Sequence, residues 1–143
     1  MTIEQLSVFV ENKPGKLVET LEILAKAGID LRALSLADTA DFGILRIIVD
    51  RPADALKALQ DSGYLIRSND VIPVSIGDKP GGLAKVLRIL ADAGVDVEYT
   101  YAFVAHASDK AYVILRVADN DVAIKILNEN SIPLLSGEDM FGV

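Results

Sequence analysis

Two short segments hold the side chains whose types and spacing could do chemistry. Asn12-Lys13-Pro14-Gly15-Lys16-Leu17 and Asp78-Lys79-Pro80-Gly81-Gly82-Leu83 share the pattern x-Lys-Pro-Gly-x-Leu. Each follows an apolar-alternating stretch and precedes one with helical periodicity. A helix that starts directly after a strand leaves its first amides without intrahelical partners. Its dipole adds partial positive charge, so such a start attracts an anion. A small carboxylate is a suitable one. Gly15, Gly81 and Gly82 would let it approach the backbone closely. The Asn12 side chain could accept from a ligand ammonium, and Asp78 could do so with a full charge. The same residues also make a good helix start with no ligand: Pro14 suits the first helical position, where its missing N–H costs nothing. The residues alone leave both readings open.

The elements that position these turns come twice. Residues 12–31 and 78–97 are identical at eleven of twenty positions with an offset of 66, the signature of an internal duplication. Upstream, Leu6, Val8 and Val10 map onto Ile72, Val74 and Ile76. Downstream, Ile44-Leu45-Arg46 matches Ile114-Leu115-Arg116 at an offset of 70, so the second copy has four extra residues near Ala105–Lys110. The division falls at about Asn69/Asp70, giving units 1–69 and 70–143. Leu6–Val10 alternates with period two and predicts a strand. Leu17, Leu21 and Leu24 predict an amphipathic helix, ended by Gly28. Strands over Ile29–Ala37 and Phe42–Val49 follow, with a hairpin at Asp38–Asp41. A second helix opens at Arg51-Pro52 in the first copy and at Asp119–Asp121 in the second, and Tyr64–Arg67 closes the first copy. The order β-α-β-β-α-β, twice, predicts an α+β fold of two tandem ferredoxin-like units, each an antiparallel sheet with its helices on one face. Pro73 sits badly in this scheme, because a central strand loses a ladder hydrogen bond at proline. Either that strand is bent or edge-like, or strands are shared between the copies.

Composition removes several function classes. Cysteine is absent, which excludes a thiol nucleophile, a disulfide framework and Cys-based metal sites. A single histidine, His106, excludes a His-rich metal site within one chain. No pattern calls for a metal or a cofactor. The net charge of −7 disfavours nucleic acid. Neither half compensates, with surpluses of −2 and −5. No stretch approaches the roughly 18 apolar residues of a membrane span, and the N-terminus carries no signal-peptide pattern, so the expected location is the cytoplasm. No paired carboxylates, repeated Ser-His-Asp set or phosphate-cradling glycine loop occurs.

The element order, the unit of about 70 residues and the doubled Pro-Gly turn together resemble the ACT domain, a small-molecule-binding regulatory module. The motif residues are Asn12, Pro14, Gly15 and Leu17 in the first copy and Asp78, Pro80, Gly81 and Leu83 in the second. The resemblance covers nearly the whole chain and looks most like free-standing tandem ACT proteins described as amino-acid-binding, with no room for a catalytic domain. It implies a non-catalytic regulatory protein that binds a free amino acid or similar small carboxylate. The implied site is the turn after each first strand, closed by a neighbouring unit's strand. The candidate closing residues lie in Asp30–Ser35 and Asp96–Tyr101, with Asp30, Asp96, Tyr99 and Tyr101 in front.

Other residues have competing readings. Tyr99, Tyr101 and Phe103 alternate on one strand and could line a pocket, form a dimer face or simply pack. Arg46 and Arg116 recur at matching positions and fit structural ion pairs. A loop histidine such as His106 is expected to be solvated, and the acidic pairs Asp119/Asp121 and Glu138/Asp139 fit cap and tail charges. The expected partners are a free amino acid, a second copy of the chain in a homodimer and, in one reading, a metabolic enzyme. Docking on such an enzyme, as the small subunit of acetolactate synthase does, is the alternative function. An acylphosphatase-type hydrolase would need an arginine at a phosphate loop, and neither turn has one.

Overall fold

Alternation of apolar with small or polar residues carries β1 from Ile3 to Glu11, and Leu6, Val8 and Val10 turn to one side. The computed structural model describes residues 1–38, 41–103 and 110–141. After β1 come α1 (Lys16–Lys26), β2 (Leu31–Asp38), β3 (Phe42–Val49), α2 (Pro52–Asp61) and β4 (Ile66–Gly77). The second copy continues with α3 (Gly82–Asp92), β5 (Val97–Phe103), β6 (Lys110–Val117), α4 (Asn120–Glu129) and α5 (Gly137–Phe141). The chain divides into two units, Glu4–Asn69 and Asp70–Val143, the latter together with Met1–Ile3.

In the first unit β3 lies between β1 and β2, antiparallel to both, with Leu6 opposite Ile47 and Leu34 opposite Ile47 on the far side. The core joins Leu6, Val8 and Val10 to Leu45, Ile47 and Val49, roofed by Leu24 of α1 and Ala55 and Leu59 of α2. Leu24 is the one leucine of α1 that is fully buried; Leu17 and Leu21 pack at its margin. In the second unit β6 lies between β4 and β5, and Ile72, Val74, Val113 and Leu115 meet Val86, Leu90, Ala123 and Leu127. Both first helices end in the same closure. Gly28 N–H donates to Ala25 O and Ile29 N–H to Leu24 O, and Gly94 and Val95 repeat the pattern. Arg51 adds a tie that has no counterpart among the described residues of the second copy: its Nη2 donates to the carbonyls of Ala27 and Gly28 at 2.9 and 2.7 Å.

Three expectations change. The strands expected near Tyr64–Arg67 and Ile72–Ile76 are one strand of twelve residues, β4, with no linker in it. The closing strand of the second copy shrinks to a single bridge, Val74 to Leu134, followed by the short helix α5. This resolves Pro73. Leu135 N–H donates to Pro73 O and Ser75 N–H to Pro133 O. A residue of an antiparallel strand points its N–H and C=O to the same side. The missing N–H therefore faces this one-bridge edge and not β6, where proline is tolerated.

Third, Pro14 is not the first helical residue. Lys16 N–H donates to Lys13 O at 3.2 Å, and Gly15 has φ 85 and ψ −11. That is a type II turn with proline and glycine at its two central positions, a geometry that asks for glycine at the second. Lys79–Gly82 repeats it, with Gly81 at φ 86 and Gly82 N–H 3.1 Å from Lys79 O. The helices therefore start one residue after the glycine.

Candidate ligand site

Each type II turn delivers the chain from strand to helix with the first turn uncapped. Neither α1 nor α3 has a side-chain cap. Among the described residues no protein acceptor takes the amides of Leu17 and Val18, or those of Leu83 and Ala84. The first helical amides, of Lys16 and Gly82, are consumed by the turns themselves. Asn12, a natural capping residue, is turned away: its Nδ2 donates to Asp38 Oδ1 at 3.3 Å and its amide to Asp41 O. A Cβ built on Gly15 or Gly81 would meet nothing within 4 Å, so the space beside both turns is open. Gly82 is different. Its Cβ would lie 2.2 Å from the carbonyl oxygen of Gly77, so glycine there permits close packing of α3 on the end of β4.

A cavity of about 390 Å³ adjoins the first turn. Phe9 and Glu11 from β1, Lys16 and Glu19 from α1, Phe42 from β3 and Tyr64 after α2 line it, with Ser62, Gly63 and Leu65 completing the wall. The Tyr64 hydroxyl donates to Glu19 Oε1 at 2.9 Å, and Lys16 Nζ lies 3.5 Å from Glu19 Oε2. Burial, more than its neighbours, pushes the Tyr64 phenol above its ordinary value. Lys13 lies 3.0 Å from Glu11 and, by its hydrogen bond first and its charge second, holds that carboxyl below the usual range.

A cavity of about 300 Å³ adjoins the second turn. Gly77, Lys79, Pro80, Gly81, Gly82 and Lys85 line it on the turn side, and Ser131, Ile132 and Pro133 on the other. Neither Lys79 nor Lys85 has an ion-pair partner among the described residues. Asp78 is exposed at the turn and does not line the cavity.

The remaining anticipated residues sit elsewhere in their own units. Asp30 precedes β2 at the end opposite the turn, its amide 3.0 Å from Asp50 Oδ1 and its carboxylate 3.5 Å from Arg32. Asp96 stands in the same place before β5, in a recess with Gly94 and Asp119. At about 3.3 Å per residue, an eight-residue strand puts roughly 25 Å between Asp30 and its own unit's turn. Tyr99 and Tyr101 are half-buried with stacked rings 6.4 Å apart, and they lie on the sheet face away from α3 and α4. Phe103 stacks on Tyr112 at 5.3 Å on that face. Arg116 pairs with Glu98 at 3.3 Å and donates to Asp70 O, a structural role. Asp119 caps α4 by accepting from Val122 N–H, and Asp139 accepts from Ser136, which lowers its pKa. His106 and the four-residue insertion around it lie outside the described residues.

Sequence reasoning missed Glu19, Tyr64, Phe9 and Phe42 around the first turn, and Lys85 at the second. The Glu19/Lys85 exchange was visible as a charge reversal inside the duplicated segment. Nothing local in the sequence carried Tyr64 to the start of α1. Among the described residues no helix is long and apolar enough to cross a membrane, and no cluster of metal-ligating side chains occurs.

A crystal structure of protein BT0572 from Bacteroides thetaiotaomicron is 43% identical, covers 100% of this chain and 98% of its own, and superposes with a TM-score of 0.92. The regulatory subunits of aspartate kinase from Thermus thermophilus and Thermus flavus share the fold at 19% identity. They cover 88% of this chain and 91% and 90% of their own, with TM-scores of 0.64 and 0.62. No curated protein matches. The family described as an ACT domain pair matches residues 1–143, both copies and both Pro-Gly turns included, and the chain belongs to that family.

Proposed function

We propose that this chain is a non-catalytic regulatory protein that binds a free amino acid, or a similar small carboxylate, beside its two Pro-Gly turns. The observation that carries this reading is the repeated uncapped helix start with open space at its glycine and a cavity alongside. A helix terminus contributes only about 0.3–2 kcal/mol to holding an anion, whereas micromolar binding needs about 8. Cavity walls and a closing surface must therefore supply most of the affinity. That surface is the strand start of a neighbouring unit, with Asp30 and Asp96 facing the turn they do not reach within their own unit. The working assembly in this reading is a cytoplasmic homodimer. A module without chemistry acts by binding two states unequally, so the ligand changes either the assembly or an associated metabolic enzyme. The regulatory subunits of aspartate kinase that share the fold point the same way.

Titration of the twenty amino acids by calorimetry and thermal shift tests the reading. Stabilisation by at least one at millimolar concentration is expected; the absence of any response would overturn it. Gly81→Leu is a poor probe here, because at φ 86 any side chain strains the turn itself. Lys85→Glu changes the cavity without touching the backbone.

A further inference from the structure

The two copies share their turns but not their charges. Duplication aligns Glu11 with Gly77, Lys16 with Gly82 and Glu19 with Lys85. Tyr64 and Ile132 correspond as well, since each donates its amide to the leucine five residues back, Leu59 or Leu127. The first cavity thus carries two carboxylates, one ammonium and a phenol, set among Phe9, Phe42 and Leu65. The second carries Lys79 and Lys85 and, among the described residues, no carboxylate. We propose that the two units select different ligands: the first an amino acid with an apolar or aromatic side chain, the second a dicarboxylic amino acid. This rests on the reading of the turns as amino-acid sites and adds what each one chooses.

In the first unit Lys16 meets the α-carboxylate, Glu19 and Glu11 meet the ammonium, and the aromatic wall takes the side chain. The existing pairs Lys16–Glu19 and Lys13–Glu11 are both partly solvent-exposed. Such pairs are worth little, so a zwitterion can replace them at small cost. A second carboxylate on the ligand would face Glu11 and Glu19 and be repelled. In the second unit two lysines without ion partners among the described residues offer positive charge for two carboxylates. An apolar side chain there would leave one lysine facing nothing and gain no aromatic wall.

Calorimetry on the full chain with L-glutamate, L-glutamine, L-leucine and L-phenylalanine tests this. The expected result is one equivalent of glutamate and one of leucine or phenylalanine, bound without competition, with glutamine at least tenfold weaker than glutamate. Lys85→Glu should weaken glutamate at least tenfold and leave the apolar ligand unchanged. Glu19→Lys should do the reverse. Both side chains are exposed, and circular dichroism on each variant checks that it folds. The proposal is overturned if glutamate and the apolar ligand compete for one class of site, if glutamine binds as well as glutamate, or if neither exchange alters preference. Binding confined to other amino acids would also overturn it while leaving the proposed function standing. Silence from all twenty would remove both.

Discussion

Gly82→Ala separates the geometry of the second turn from ordinary helix preference. Gly82 opens α3, and within a helix alanine is normally more stable than glycine by about 0.5–1 kcal/mol. Here the new methyl would lie 2.2 Å from the Gly77 carbonyl oxygen, a backbone atom with no rotamer to give way. Restoring an ordinary contact needs a shift of more than about 1 Å by α3 or by the end of β4, and overpacking of this kind costs about 1–3 kcal/mol. The two effects oppose each other, and the clash is the larger, leaving a net loss of about 1–2 kcal/mol. For a chain of this size that is a fall of about 2–8 °C in Tm. The equivalent position in the first copy is Lys16, half-buried with its side chain accommodated, so Lys16→Ala should be close to neutral. Urea unfolding followed by circular dichroism reads both. A Gly82→Ala protein as stable as wild type, or more so, would refute the close approach of α3 to Gly77.

Two further predictions concern the first unit. Arg51→Ala removes hydrogen bonds to two carbonyls at the end of α1 and the 3.1 Å pair with Asp54. With the side chain about half exposed, a loss of about 1–2 kcal/mol is expected in denaturant unfolding. Arg51→Lys should recover only part of it, since one ammonium cannot span the fork, and full recovery would count against the assignment. Burial raises the Tyr64 phenol above its ordinary value of 10.0. Its contribution is therefore complete below pH 10 and is lost as the pH climbs through the higher folded value. Tyr64→Phe should flatten the decline of stability on the alkaline side; an unchanged slope between the two proteins would show that Tyr64 plays no part.

Much of this was readable from the chain itself because it depends on periodicity and repetition. Alternation at Leu6, Val8 and Val10 gave β1 its face, and Phe42–Val49 came out as one strand. What escaped depends on geometry that spacing does not encode. Lys-Pro-Gly reads equally well as a helix start with proline inside it and as a type II turn with the helix one residue beyond glycine. Only the positive φ at Gly15 decides between them. Asn12 is of a type that caps helices, but Asp38 at the end of β2 takes its side-chain amide. Asp30 and Asp96 were read as closing residues for a neighbouring unit's turn; within their own units each stands at the end of the sheet opposite the turn. Tyr64 sits 45 residues from Glu19, and a contact at that separation follows from the crossing of α1 and α2 and not from any local pattern.

The proline in β4 has a consequence for self-association. Around Pro73, the side of β4 away from β6 is closed by one bridge at Leu134. Were Pro133–Leu135 to peel away, a strand from another molecule seeking to zip along that edge would find a donor missing in mid-register. A gap of that kind is how sheet proteins discourage runaway fibre growth without covering the edge. Replacing Pro73 with valine would restore the donor and, on this reasoning, trade a blunted border for an adhesive one.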